Sequence, residues 1–305
     1  MTTRITPSSF FSRGKLMLTG EYLALLGATT LAIPAKKGQH LFVYNYPEGI
    51  KWQARDHNDD IWLDVHLSND LNVLSSSDEH SADLLVQILK KASELNPDFS
   101  GQLRNSEVHT RLEFNRHWGL GSSSTLIDLV SQWSSTKPHD LLSGTMGGSG
   151  YDVACASASR PILYSNQDQP VWHEVDWCPP FLDDLFLIYM NQKQSSAAEV
   201  DRFMSSKGIF EDEIRLISEM SHRITKCLAL DEFQLLLKQH EEIMSSVLKQ
   251  PAVADKWFKD IPGAFKSLGA WGGDFVLFAG EKEALEHIKE RGFHTILRFN
   301  EIALL

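Results

Sequence analysis

The chain has 305 residues, room for one large or two medium hydrophobic cores. Its 40 acidic and 29 basic residues leave a net charge of −11, which argues against nucleic acid or an acidic membrane surface as the main partner. An anionic small molecule is still allowed, because it needs only a local basic pocket.

No apolar run reaches the roughly 18 residues of a membrane span. The first ten residues lack the basic start and apolar core of a secretion signal. Cys155, Cys178 and Cys227 show no metal-ligand spacing, so reduced thiols in a cytoplasmic protein are expected. In chain order, short apolar or alternating runs predict strands at 15–20, 31–34, 40–46, 51–55 and 61–67, the last two forming a hairpin around Asp56-His-Asn-Asp-Asp60. Residues 79–95 have helical spacing, with Leu84, Leu85, Ile88 and Leu89 on one face and serines ahead as caps. A strand at 107–114 leads into Gly119-Leu-Gly-Ser-Ser-Ser-Thr125 and a helix to about Trp133. A second glycine-rich turn, Met146-Gly-Gly-Ser-Gly150, enters Tyr151-Asp-Val-Ala-Cys-Ala156.

Composition changes near Arg160. Strands are predicted at 160–164 and 185–190, helices at 197–203, 211–228 and 232–248, then strand 274–279, helix 282–291 and strand 295–299. Two domains are expected, 1–158 and 159–305. There is no internal repeat and no low-complexity tract.

Four polar motifs stand out. In Ser12-Arg-Gly-Lys-Leu-Met-Leu-Thr-Gly-Glu-Tyr22, Lys15 opens a strand and Glu21 and Tyr22 follow its end. A lysine there can neutralise a phosphoryl group, or simply be solvated. The segment from Gly119 to Thr125 is a helix-start anion cradle or a capped turn: Gly119, Leu120 and Gly121 let the backbone approach a ligand, and Ser122, Ser123 and Ser124 stand where a helix begins. Ser122 and Ser123 offer oxygens to a phosphate or to magnesium, while Ser124 and Thr125 fall further into the helix as local backbone bonders. The Gly147-Gly-Ser-Gly-Tyr-Asp152 run brings Asp152 near a reacting centre or makes it a helix cap. The last, Lys266-Ser-Leu-Gly-Ala-Trp-Gly-Gly-Asp274, is a close backbone approach or a tight turn into the next strand.

In their order and spacing, these motifs resemble the GHMP kinase superfamily of galactokinases, homoserine kinases, mevalonate kinases and phosphomevalonate kinases. Arg-Gly-Lys15 is similar to its amino-terminal Pro-Gly-Lys motif, Gly119-Leu-Gly-Ser-Ser123 to its phosphate loop, and Gly269-Ala-Trp-Gly-Gly273 to its last glycine loop. Gly20-Glu-Tyr22 and Ser149-Gly-Tyr-Asp152 look like the mevalonate branch, nearest to phosphomevalonate kinase; Lys193, Ser195 and Ser196 resemble that branch's Lys-x-x-Ser-Thr segment.

The resemblance implies an α+β, two-domain GHMP kinase-like fold: an N-terminal ribosomal protein S5 domain 2-like α/β domain and a C-terminal ferredoxin-like α/β domain. It implies ATP and Mg2+ as cofactors, with Gly119, Leu120, Gly121, Ser122, Ser123 and Ser124 at the nucleotide and Ser123 at the metal. Lys15 and Asp152 become the catalytic pair. Glu21, Tyr22, Ser149, Gly150, Tyr151, Lys193, Ser196, Gly269, Ala270, Gly272 and Gly273 become candidates for holding a small acidic substrate. Arg13 and Arg202 are further basic suppliers. Phosphomevalonate is the expected acceptor, mevalonate the alternative; an ATP-using decarboxylase and a non-catalytic binding protein are the readings from other classes. A monomer or homodimer is expected.

The chain departs from the family pattern in three places. Trp271 replaces a glycine, His117-Trp118 stands where a proline often precedes the phosphate loop, and Lys137-Pro-His-Asp140 offers only Asp140 where many members carry a magnesium-binding glutamate.

Overall fold

The computed structural model describes residues 8–192, 196–205, 208–269, 271 and 273–305. They form two compact units, and the chain passes between them more than once. The first holds residues up to Gly14, Lys37–Arg116 and Leu120–Ser157; the second holds Lys15–Lys36, His117–Gly119 and Ala158–Leu305.

The first unit takes the start of β1 (Ser8–Met17) and the end of β2 (Thr30–Asn45). It adds β3 (Ile50–Arg55), β4 (Ile61–Leu67), β5 (Val73–Ser76), helices α1 (Glu79–Leu95) and α2 (Phe99–Leu103), β6 (Ser106–Leu112), and α3 (Ser122–Ser134), α4 (Pro138–Ser143) and α5 (Tyr151–Ser157). Its strands run in the order β5-β4-β3-β6-β2, antiparallel except for the parallel pair β3–β6. Alternation sets which face is covered: Leu63, Val65 and Leu67 of β4 are buried while their neighbours are not.

Helix α1 begins where the Asp78 carboxylate accepts the Ser81 amide at 3.2 Å. It then buries Ala82, Leu85, Val86, Ile88, Leu89 and Ala92 as one stripe. That stripe meets Trp52, Val108, Ile127, Val130 and Trp133 in one core, where Phe99 and Trp133 pack edge to face at 4.8 Å.

Where the sequence predicts two strands, at 31–34 and 40–46, there is the single strand β2. Gly38, which reads as a break, marks a close approach: a Cβ there would overlap the Ser12 carbonyl of the paired β1.

In the second unit the early residues of β2 pair with β7 (Ile162–Ser165), which pairs with β8 (Val171–Glu174). A separate antiparallel sheet has the order β10-β11-β9-β12, from β9 (Leu185–Tyr189), β10 (Ala264–Leu268), β11 (Phe275–Ala279) and β12 (Ile296–Arg298). Helices α6 (Ser196–Ser205), α7 (Glu211–Ile224), α8 (Leu230–Leu248), α9 (Ala284–Glu290) and α10 (Phe299–Ile302) complete it. Every residue of β10 and β11 is buried, because α8 packs on the sheet and a second core of Phe186, Phe258, Phe265 and Phe278 also forms on it. Phe258 and Phe265 stack at 4.3 Å. The fold is thus α+β, a mixed sheet with helices and a small antiparallel sheet. Among the described residues no helix is long and apolar enough to cross a membrane.

Candidate functional site

Two groups of candidate residues form, one in each unit. In the first, Gly121 sits in the left-handed region (φ 88°) as the N-cap of α3, and no side chain caps the helix. Thr125 N–H closes the first helical bond to Gly121 O at 2.9 Å, so the amides of Ser122, Ser123 and Ser124 precede the helical ladder. Among the described residues no side chain caps these amides, and the positive end of a 13-residue helix suits an anion.

The hydroxyls divide unequally. Ser124 Oγ donates to Gly121 O at 2.9 Å, and Thr125 Oγ1 to Gln39 Oε1 at 2.6 Å. Ser123 is exposed and Ser122 half-buried, while Leu120 is buried. Helix α3 is also tied to β1, since Gln132 Nε2 donates to Phe11 O at 3.0 Å and to the buried Asp128 at 2.8 Å.

Asp152 lies half-buried in the first turn of α5, where its Oδ1 accepts the Val153 amide at 3.0 Å. The turn before it needs glycine for its backbone: Gly147, Gly148 and Gly150 have φ of 66°, 103° and 85°. Ser149 is buried and Tyr151 half-buried. His139 of α4 hydrogen-bonds the Gly150 backbone and feels the Asp152 carboxylate. Burial pushes its imidazole below the ordinary range, with Asp152 opposing. The stretch Lys137-Pro-His-Asp140 therefore brings a histidine to this aspartate, a placement that follows from the α4–α5 packing rather than from any motif.

Among the described residues no group of three or more His, Cys, Asp or Glu side chains could hold a metal. Magnesium often keeps most of its waters and takes few protein oxygens, and the exposed Ser123 hydroxyl fits that single-donor role.

In the second unit, Lys15 Nζ donates to Gly119 O at 3.1 Å. Gly119 (φ 63°) admits no side chain, because a Cβ would overlap the Asp274 carboxylate. Burial pushes the Asp274 carboxyl up, while Lys15 and then His117 pull it down. Lys15, Trp118, Gly119, Gly269 and Asp274 line a crevice of about 10 Å³, space for one water.

The sequence reading offers Glu21 and Tyr22 to a substrate; the structure encloses both. Glu21 is 1 % exposed and pairs with the buried Lys266, and the Tyr22 hydroxyl accepts the Trp271 amide at 2.9 Å. Burial pushes the Tyr22 phenol up to about 12. Trp271 turns inward, its indole donating to Pro251 O at 3.1 Å. Gly273 is buried, and Gly269 has φ 75°. Arg13 lies over the Phe11 ring at 5.5 Å, Arg202 is exposed on α6, and Ser196 opens α6. Lys193, Ser195, Ala270 and Gly272 lie outside the described residues.

No protein-family model and no curated protein matches the sequence. Solved structures do. The mevalonate kinase of Methanococcus jannaschii is 13 % identical with a TM-score of 0.67, covering 99 % of both chains. The phosphomevalonate kinase of Streptococcus pneumoniae, in complex with phosphomevalonate and AMPPNP, is 15 % identical with a TM-score of 0.67, covering 96 % of this chain and 100 % of that one. The galactokinase of Lactococcus lactis, complexed with galactose, is 12 % identical with a TM-score of 0.61, covering 100 % of this chain and 94 % of that one. Likeness at this identity, sustained over nearly the whole chain, speaks to the backbone: the chain has the two-domain fold of the GHMP kinases.

Proposed function

We propose that the chain is an ATP-dependent small-molecule kinase. The observation that carries the reading is the first turn of α3, where a left-handed glycine leaves backbone amides without a side-chain cap beside an exposed serine hydroxyl. ATP supplies the phosphoryl group when bound. The amides of Ser122, Ser123 and Ser124 would seat its phosphates, and the Ser123 hydroxyl would be a magnesium oxygen ligand.

Asp152 orients the acceptor and takes its proton where the acceptor is a hydroxyl. The acceptor oxygen forms a bond to the γ-phosphorus as the bond to the β-bridging oxygen breaks, and ADP leaves. Lys15 offsets the negative charge on the transferring group. Such catalysis is positioning plus electrostatics. Asp152→Asn and Lys15→Met should therefore each leave a folded protein that has lost about 100-fold or more in turnover. Near-normal ADP release by either purified variant sinks its assignment.

For the acceptor we propose phosphomevalonate, on the resemblance of Gly20-Glu-Tyr22 and Ser149-Gly-Tyr-Asp152 to that branch. A phosphomevalonate-bound kinase is among the structures of like fold, beside mevalonate kinase and galactokinase. Glu21 and Tyr22 are enclosed, and neither is a cation, so the phosphate of that acceptor would be held by basic side chains such as Arg13, Lys15 or Arg202. A screen of mevalonate against its 5-phosphate at matched ATP and magnesium tests the order: transfer to mevalonate alone reverses it. Carbon dioxide release would mark an ATP-using decarboxylase, and nucleotide binding with no ADP release under any acceptor a binding protein.

A further inference from the structure

Four ionisable side chains in the second unit take no part in the chemistry above, yet they are almost fully enclosed: Lys266 and His240 are 0 % exposed, Glu21 1 % and Glu241 2 %. They come from three distant stretches of chain, the turn after β1, helix α8 and strand β10. We infer that they form a positioning cluster for the phosphoryl transfer proposed above, holding the turn at residues 20–22 behind Lys15 and the strand that leads into residues 269–273.

The bonds run to both segments. Lys266 Nζ donates to Glu21 Oε1 and, at 2.8 Å, to Ser267 O. Glu241 Oε1 accepts the Ser267 amide at 3.0 Å, and its Oε2 accepts the Val253 amide at 3.3 Å. His240 Nε2 accepts the Gly20 amide at 3.0 Å. The neighbouring Tyr22 hydroxyl then takes the Trp271 amide, so the two segments are clasped twice. The Lys15 charge itself reaches Glu21. An enclosed ion pair is seldom the most stabilising filling for a core, which leaves the fixing of geometry as the reason for this one.

The network is also incompletely satisfied. An Nε2 that accepts the Gly20 amide has no proton, so the neutral imidazole carries its hydrogen on Nδ1. Glu21 Oε2 lies 3.4 Å from that bare nitrogen, and Glu21 Oε2, His240 Nδ1 and Ser267 Oγ have no hydrogen-bond partner among the described residues. One ammonium then faces two carboxyl groups and a neutral ring, so charge balances only while one carboxyl keeps its proton. Burial raises both carboxyls, but the Lys266 ammonium is hydrogen-bonded to Glu21 and not to Glu241, which makes Glu241 the group that keeps the proton: burial, opposed by Lys266 and the Ser267 and Val253 amides and helped by the charge of Glu21, pushes it up to about 7. In the unfolded chain the same carboxyl titrates near 4.5. The stabilisation from its proton is therefore complete below 4.5 and is lost as pH rises through about 7. Above that, the clasp carries an uncompensated negative charge.

The full-length chain tests this with two variants. Glu241→Gln mimics the protonated carboxyl, and the double change Glu21→Gln with Lys266→Met removes both paired charges and so strands neither. Turnover and KM for ATP are measured from about pH 6 to about pH 8, together with backbone hydrogen–deuterium exchange at residues 18–24 and 264–269. The double variant should lose about tenfold or more in kcat while KM for ATP moves less than about threefold. Wild type should lose protection in both segments above about pH 7, and Glu241→Gln should not. Wild-type turnover in the double variant, or equal exchange in wild type and Glu241→Gln across the range, overturns the inference. Wild-type protein that releases no ADP with any acceptor overturns the kinase reading alone, and the exchange comparison still decides the cluster.

Discussion

Gly119 shows how much a single position carries. Its backbone is left-handed, its carbonyl receives Lys15, and its missing side chain leaves room for the Asp274 carboxylate. Alanine there meets two obstacles, a strained φ of about 1–2 kcal/mol and an overlap that the half-buried Asp274 must relieve by moving. Gly119→Ala should thus lower the thermal unfolding midpoint, and adding Asp274→Gly should restore part of the loss, since only the overlap is removed. Equal midpoints for the single and double variants would show that the overlap carries no cost. The chain announces Gly119 through its motif, but Asp274 is simply the last letter of another. Glu21 and Tyr22 show the converse: polar residues at a strand end read as ligands for a substrate, and only tertiary packing shows Lys266 and Trp271 already occupying them. His139 gave no signal at all, because nothing in Lys137-Pro-His-Asp140 says which side chain α4 turns toward α5.

Elements were legible where one face carries the pattern. The stripe of α1 and the alternation of β4 are visible in the residues themselves. The β10 strand was missed because all five of its residues, lysine and serine included, are buried, which removes the alternation. β2 was split in two because Pro34 and Gly38 are ordinary signs of a break. Gly38 is instead fitted against Ser12, and this separates two kinds of glycine by experiment. Gly38→Ala must push β1 away and should destabilise by about 1–3 kcal/mol, as overpacking does. Gly101 is exposed in α2, and an added Cβ would meet nothing within 4 Å, so alanine there should gain up to about 1 kcal/mol through helix propensity. A denaturant midpoint for Gly38→Ala at or above that of the wild type would refute this account of β2, and a fall for Gly101→Ala would refute the helix-propensity gain.

For the molecule as a whole, the motifs carried the fold in outline only through the family they resemble, whereas the acceptor depends on side chains that only meet in three dimensions. The role proposed for the first turn of α3 is binding and that proposed for Asp152 is chemistry, and the two can be measured apart. A ligand held only by the folded state stabilises it by about 2.7 kcal/mol at one hundred times its dissociation constant. ATP with magnesium should therefore raise the unfolding midpoint, and Ser123→Ala should remove most of the part of that rise that depends on magnesium. Asp152→Asn leaves the α3 amides and Ser123 untouched, so it should keep the full rise while turnover falls. A midpoint that ignores ATP in the wild-type chain would remove the phosphate role of α3 and the kinase reading with it. A rise retained in Asp152→Asn, with ADP release lost, would separate the role proposed for Asp152 at the acceptor from the role proposed for α3 at the nucleotide.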